Sequence, residues 1–202
     1  MTRILIFAGS TRRDSLNSQL AAAAATKARD LGAEVSLIDL ADYPMPIYNG
    51  DLEMADGVPE SASRLRDLML EHDALVIACP EYNGSITPLL KNTIDWTSRA
   101  SNGIGMSAAY SGKVAALLSA SPGGFGGLRG LVHVRAILTG MGVLVVPGDV
   151  SVGEAHKAFA EDGSLVDEKL DKRLEKAVGK LIRTTTALRP VPGRAAGDHS
   201  AP

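Results

Sequence analysis

Cysteine is almost missing from this 202-residue chain, and its single example, Cys79, has no partner for an internal disulfide. Nothing therefore signals an oxidising compartment. Long apolar runs are missing too. No stretch reaches the roughly 18 residues that a membrane helix needs. The opening "MTRILIFAGS" is too short for a signal-peptide core and reads as a first strand. Surplus charge is absent: 21 Lys and Arg face 23 Asp and Glu, for a formal net charge of −2. That argues against a general nucleic-acid binder, which carries a basic stripe. The histidines, His72, His133, His156 and His199, are scattered, and no metal-ligand spacing occurs. No G-x-x-x-x-G-K-[ST] phosphate loop is present. The nearest approach to a dinucleotide fingerprint, "GIGMSA" at 103–108, follows a helical pattern and precedes a strand, the wrong context for that motif. These absences leave a cytoplasmic enzyme or binding protein, with no metal, nucleic-acid or membrane partner expected.

What is present is the make-up of a globular domain, 45% hydrophobic and 22% charged. Short apolar runs recur at Ile4–Ala8, Val35–Leu40, Ala74–Cys79, Val114–Leu118 and Val143–Val146. Most are continuous rather than alternating, as parallel strands covered on both faces should be. Helical patterns lie between them: Leu16, Leu20, Ala24 and Leu31 share a face, as do Leu65, Leu68, Met69 and His72. Leu128, Leu131, Val132, Leu138 and Met141 form another, and Leu170, Leu174, Leu181 and Ile182 a last one. Thr87-Pro88 opens a helix as cap and first residue. The alternation predicts a doubly wound α/β sheet with helices on both faces. One domain over 1–188 is expected, followed by a disordered tail at 189–202, rich in Pro, Gly and Ala.

In such a sheet ligands bind where the carboxyl ends of the strands meet the following loops. Three of those loops are chemically loaded. "GSTRRDSLN" after the first strand runs into a helix N-terminus, where unpaired N–H groups and the helix dipole favour an anion. Ser10, Ser15 and Asn17 can add side-chain donors and Arg12 a permanent charge, a set suited to a phosphate monoester. The same loop can equally be a polar turn in which Ser15 or Asn17 merely caps the helix. "PEYNGSITP" after the third strand offers Tyr82 and Asn83 to a planar heterocycle, or is an ordinary turn. Its Glu81 would repel a phosphorylated ligand and is expected to point aside to a basic neighbour. "SPGGFGGLRG" after the fourth strand could bring backbone close to a flat ligand, with Ser121 as donor, or is simply a flexible loop.

Taken together these segments resemble the NAD(P)H-dependent FMN reductase family, the flavodoxin-like group that includes chromate and quinone reductases. The family's G-S-x-R-x-x-S-x-N is matched by Gly9, Ser10, Arg12, Ser15 and Asn17, and its P-E-Y-N by Pro80, Glu81, Tyr82 and Asn83. Its L-K-N-x-I-D-W helix is matched by Leu90, Lys91, Asn92, Ile94, Asp95 and Trp96, and "PMPIYNGDLE" at 44–53 fits as well. The resemblance implies a flavodoxin-like five-stranded parallel sheet of order 2-1-3-4-5 holding one FMN. Ser10, Arg12, Ser15 and Asn17 would bind its phosphate, with Leu16 beside them. Pro80, Glu81, Tyr82 and Asn83 would line the isoalloxazine, and Ser121, Gly123 and Gly124 would close another side.

The resemblance further implies ping-pong transfer from NADPH or NADH to a small acceptor such as a quinone, an azo dye, chromate or free flavin. No catalytic acid, base or nucleophile is then required of the protein. A homodimer or homotetramer is implied, with "LKNTIDW" and the 44–53 loop near the interface, although Trp96 itself reads as a packing residue. Cys79, at the end of a buried strand, reads as core. The rival from another class is a non-enzymatic flavodoxin-type electron carrier, which needs a strongly charged docking surface. A phosphosugar- or nucleotide-binding protein without flavin is a third reading.

Overall fold

The apolar runs become strands of one parallel sheet in a computed structural model of the chain, which describes residues 1–189. In chain order the first half holds β1 (Arg3–Ala8), α1 (Leu16–Asp30), β2 (Glu34–Ile38), α2 (Gly50–Asp56), α3 (Glu60–Glu71) and β3 (Ala74–Ala78). Next come the short strands β4 (Glu81–Tyr82) and β5 (Ser85–Ile86), then α4 (Pro88–Thr97), β6 (Val114–Ala120) and α5 (Leu128–Gly140). The chain continues through β7 (Leu144–Val145), β8 (Val150–Val152) and α6 (Glu168–Ala187). The main sheet runs β2-β1-β3-β6-β7, with β8 also paired to β6.

This is the expected 2-1-3-4-5 order with its last strand in two pieces. Leu144 and Val145 pair with Val114 and Ala115, whereas Val150 to Val152 pair with Leu118 to Ala120. Between them Pro147 has no N–H to give the ladder, and Gly148 sits at φ +107°. The other departure is the small antiparallel ribbon β4-β5.

Continuous apolar strands follow from two covered faces. Ile4, Ile6 and Ala8 of β1 pack into the layer of α1 and α6, while Leu5 and Phe7 pack into the layer of α3, α4 and α5. Caps set where the helices begin. Ser15 Oγ accepts from Ser18 N at α1, and Thr87 Oγ1 from Leu90 N at α4 with Pro88 in the first turn. On α5 only part of the expected face is inward. Leu131, Val134 and Leu138 are buried, but Leu128 and Val132 lie on the flank and stay exposed. His72 lies just past α3, buried, with its ring against Leu68 O (2.7 Å) and Ser36 Oγ (2.8 Å).

α6 ends beside the start of the chain. Arg189, expected to begin the tail, donates to Met1 O and Asp73 Oδ2, both at 2.6 Å. The rest of the expected tail, 190–202, lies outside the described residues. Among the described residues no helix is long and apolar enough to cross a membrane.

Candidate functional site

β1, β3 and β6 end side by side, so the three loaded loops meet at one edge of the sheet. The turn after β1 is glycine by necessity. A Cβ on Gly9 would stand 3.0 Å from Leu90 Cβ and 3.3 Å from Pro80 Cδ. Thr87, besides capping α4, donates to Gly9 O (2.8 Å) and ties this turn to the start of that helix. Ser15 is the N-cap, as one reading of the sequence had it. Its hydroxyl proton is still available, because a cap hydroxyl accepts with its oxygen. Ser10 Oγ likewise accepts, from Arg12 N at 3.3 Å. Among the described residues no acceptor meets the N–H of Leu16 or Asn17, the first groups of α1. The Arg12 guanidinium is exposed, and among the described residues its one hydrogen bond is long, Nη2 to Asp14 O at 3.4 Å.

Asn17 does something other than expected. Its amide is buried and engaged at both ends: Nδ2 donates to Ala120 O (2.8 Å) and Oδ1 accepts from Ala120 N (3.0 Å). The side chain thus clips the start of α1 to the end of β6. Asn17 also brings a backbone N–H without an acceptor among the described residues to the cleft.

The second loop is a hairpin. Asn83 (φ +51°) and Gly84 (φ +79°) are its two turn residues, the left-handed pair that type I′ turns require. Asn-Gly between two short runs is the strongest local hairpin signal, and it explains Asn83 without a ligand. Glu81 points aside, as its charge demanded. Its carboxylate accepts from Arg129 Nε (2.8 Å), Arg129 N (3.0 Å) and Gly130 N (3.2 Å), capping α5. Burial works to raise the Glu81 pKa, but the Arg129 side chain and these N–H groups outweigh it and hold it below the ordinary carboxylate value. Cys79, just before this loop, is fully buried, and burial together with the Glu81 charge pushes its thiol up to about 12. It stays protonated at neutral pH and is no nucleophile.

The third loop packs tightly against the chain after β8 at Gly126 and is open at Gly123 and Gly124. Cβ atoms on Gly126 and Gly153 would fall 2.7 Å from Val152 C and 2.5 Å from Gly124 O. These two permit backbone-to-backbone packing of the loop on the chain after β8. Gly124 has open space where a Cβ would be, and at Gly123 the sole neighbour would be Ser121 Oγ at 3.7 Å. Ser121 is fixed through its backbone, N to Val152 O and O from Ala155 N, both at 3.0 Å.

Of the residues that the resemblance assigns to the cofactor, all but Asn83, Gly123 and Gly124 line a single open cleft. Ala120 and Pro122 complete the lining and were not foreseen, although they flank Ser121 in the sequence. Arg12 and Glu81 are the charged groups of the wall, and Glu81 is neutralised by Arg129. The uncompensated charge of the cleft is therefore positive and sits beside the open N-terminus of α1. No histidine lines the cleft, and among the described residues no group of His, Cys, Asp and Glu could hold a metal.

The 44–53 segment lies elsewhere, across α4. Trp96 is fully buried and donates Nε1–H to Pro46 O (2.7 Å), with Tyr48 edge-on to its ring at 5.0 Å. Trp96 is a packing residue, as its sequence context suggested.

A family model described as NADPH-dependent FMN reductase matches residues 2–157. An NAD(P)H-dependent FMN reductase of Pseudomonas aeruginosa is 37% identical over 93% of this chain and 97% of its own. An NADPH:quinone oxidoreductase of Arabidopsis thaliana is 32% identical over 94% of each. Among solved structures, a flavoenzyme NAD(P)H:(acceptor) oxidoreductase from Paracoccus denitrificans superposes with a TM-score of 0.78 at 30% identity. That match covers 93% of this chain and 98% of the other.

Proposed function

Because the chain belongs to the NADPH-dependent FMN reductase family, we propose that the cleft above its sheet seats FMN and that quinones are its acceptors. The protein is an FMN-dependent NAD(P)H oxidoreductase. The observation that carries the seating is the open N-terminus of α1. Among the described residues, two N–H groups without acceptors, two hydroxyls with a proton to give and one exposed guanidinium without an acidic partner converge there. That donor set fits a phosphate monoester. The backbone of Pro80 to Tyr82 and of Ser121 and Pro122 offers walls for a flat ring, with Gly123 and Gly124 leaving one side uncrowded.

FMN, when bound, supplies the redox chemistry, taking a hydride and releasing electrons singly or in pairs. The residues here bind and orient. Leu16 N–H, Asn17 N–H, Ser10, Ser15 and Arg12 hold the phosphate. Asn17 and Thr87 fix the loops to one another. Glu81 keeps its charge on α5 and out of the cleft. Nicotinamide and acceptor use the same open side in turn, so the kinetics are ping-pong. Steady-state oxidation of NADPH should therefore require a quinone and give parallel double-reciprocal lines. A flavodoxin-type carrier would oxidise almost none without a separate reductase, and that result would overturn the enzymatic reading.

Arg12→Ala tests the phosphate placement. A charge-assisted hydrogen bond contributes roughly 1.5–3 kcal/mol, so FMN affinity should fall about ten- to a hundredfold. The fold should be untouched, since among the described residues the Arg12 side chain makes only the long hydrogen bond to Asp14 O. Fluorescence titration with FMN reads the change, and an unaltered affinity would remove Arg12 from the site. Assembly as a homo-oligomer is part of this proposal. Phe125, Leu128 and Val132 leave apolar surface exposed beside the cleft loops, and light scattering should give a mass above that of one chain.

A further inference from the structure

α6 divides its charges by side. Lys169, Arg173, Lys176, Lys180 and Arg183 recur at steps of three or four residues, which places them in one stripe along roughly 20 Å of helix. All are exposed or half-exposed, and among the described residues none forms an ion pair. The acidic residues of the helix fall on the other flank, where Asp171 takes Lys27 of α1 and Glu168 takes Lys172.

Two cations of the stripe are held in place by backbone carbonyls of the broken edge strand. Lys180 Nζ donates to Pro147 O (2.9 Å) and Arg173 Nη2 to Asp149 O (3.2 Å). The nearby acid, Asp149, is already paired with Arg135 of α5. Leu144 of β7 alternates with the buried Val145 and so turns toward the α6 layer, where it is half exposed. The stripe also lies beyond residues 2–157, the part matched by the family model.

We propose that this basic face of α6 seats the protein on anionic bilayer surfaces. A net charge of −2 conceals the stripe, which is why no membrane partner is expected from composition. A cluster of Lys and Arg on one face of an amphipathic helix is the pattern that anionic lipid headgroups attract. α6 has no aromatic side chain on which a nucleobase could stack, as single-strand binders require, and two fixed cations beside the exposed Leu144 suit a planar interface. The partner rests on the proposed acceptor, since quinones with apolar tails reside in bilayers and a reductase held at the surface meets them there.

The experiment is flotation of the FMN-loaded, full-length protein with phosphatidylcholine vesicles, with or without phosphatidylserine, at low and raised salt. Binding should require phosphatidylserine and weaken with salt. Lys169→Gln combined with Lys176→Gln should lower vesicle affinity about 25-fold, at roughly fivefold per cation. NADPH oxidation with a water-soluble quinone should be unchanged in that variant. Equal binding to neutral vesicles, a double variant that floats like wild type, or a DNA oligonucleotide bound at least as tightly as the vesicles would each overturn the proposal. Flotation is read on the protein itself, so failure of the quinone assay would strike the enzymatic reading and leave the surface contact standing.

Discussion

Asn17→Ala should lower stability by about 2–6 kcal/mol and melt the protein several degrees below wild type. The substitution strands two buried backbone groups at once, because Ala120 N–H and Ala120 C=O have the Asn17 amide as partner and Ala120 is only 4% exposed. Each buried polar group left unpaired costs about 1–3 kcal/mol. In a domain of this size each kcal/mol shifts the midpoint by about 2–4 °C. FMN affinity should fall as well, since Ala120 and Ser121 form the wall opposite α1. Asn17→Asp separates the two bonds: it keeps an acceptor for Ala120 N–H and loses the donor to Ala120 O. Thermal denaturation with FMN titration reads both effects. An Asn17→Ala protein that melts within a degree of wild type would show that the clip carries no strain of the fold.

Gly126→Ala should be of similar size and act on the third loop. Gly126 stands at φ +61°, where a side chain costs about 1–2 kcal/mol. Its Cβ would also meet Val152 C at 2.7 Å and Gly153 N at 2.8 Å. Those are backbone atoms, which no rotamer change can withdraw, so the loop must lift from the chain after β8. Overpacking of that kind costs about a further 1–3 kcal/mol. Because Gly123 and Gly124 belong to the same turn, FMN binding should weaken. Gly84→Ala is the control: φ is +79° there, but open space surrounds the new methyl. Equal melting temperatures for the two variants would refute the close packing at Gly126.

Much of this was legible in the sequence for identifiable reasons. A strand covered on both faces must be apolar throughout, so β1, β3 and β6 stood out as unbroken runs. The last strand was only half legible. "VLVV" announced β7, but the ladder resumes at β8 after Pro147 and Gly148, and three residues are too few to carry a periodic signal. The α5 pattern overstated the buried face because hydrophobicity alone does not separate Leu131, which packs on the sheet, from Leu128 and Val132 on its flank.

The site divides in the same way. Local chemistry was readable: Ser15 as a cap, glycine at the turn after β1, a carboxylate that had to find a cation. Roles set by distant partners were not. Asn17 looks like a ligand donor until Ala120, 103 positions later, is seen to occupy its amide. Glu81 finds Arg129 across 48 positions. Asn83 carried a local signal too, since Asn-Gly between "EY" and "SI" specifies a type I′ hairpin, the ordinary-turn reading of that loop.

The account rests on FMN being held by its phosphate at the first turn of α1. Titrating the flavin-free, folded protein with FMN while following flavin fluorescence and visible absorbance tests that most directly. The expected result is saturable binding of one FMN per chain, competed by inorganic phosphate and weakened by Arg12→Ala but not by Lys169→Gln. A protein that is fully folded by circular dichroism, stays colourless and leaves the flavin spectrum unchanged at every concentration would contradict it.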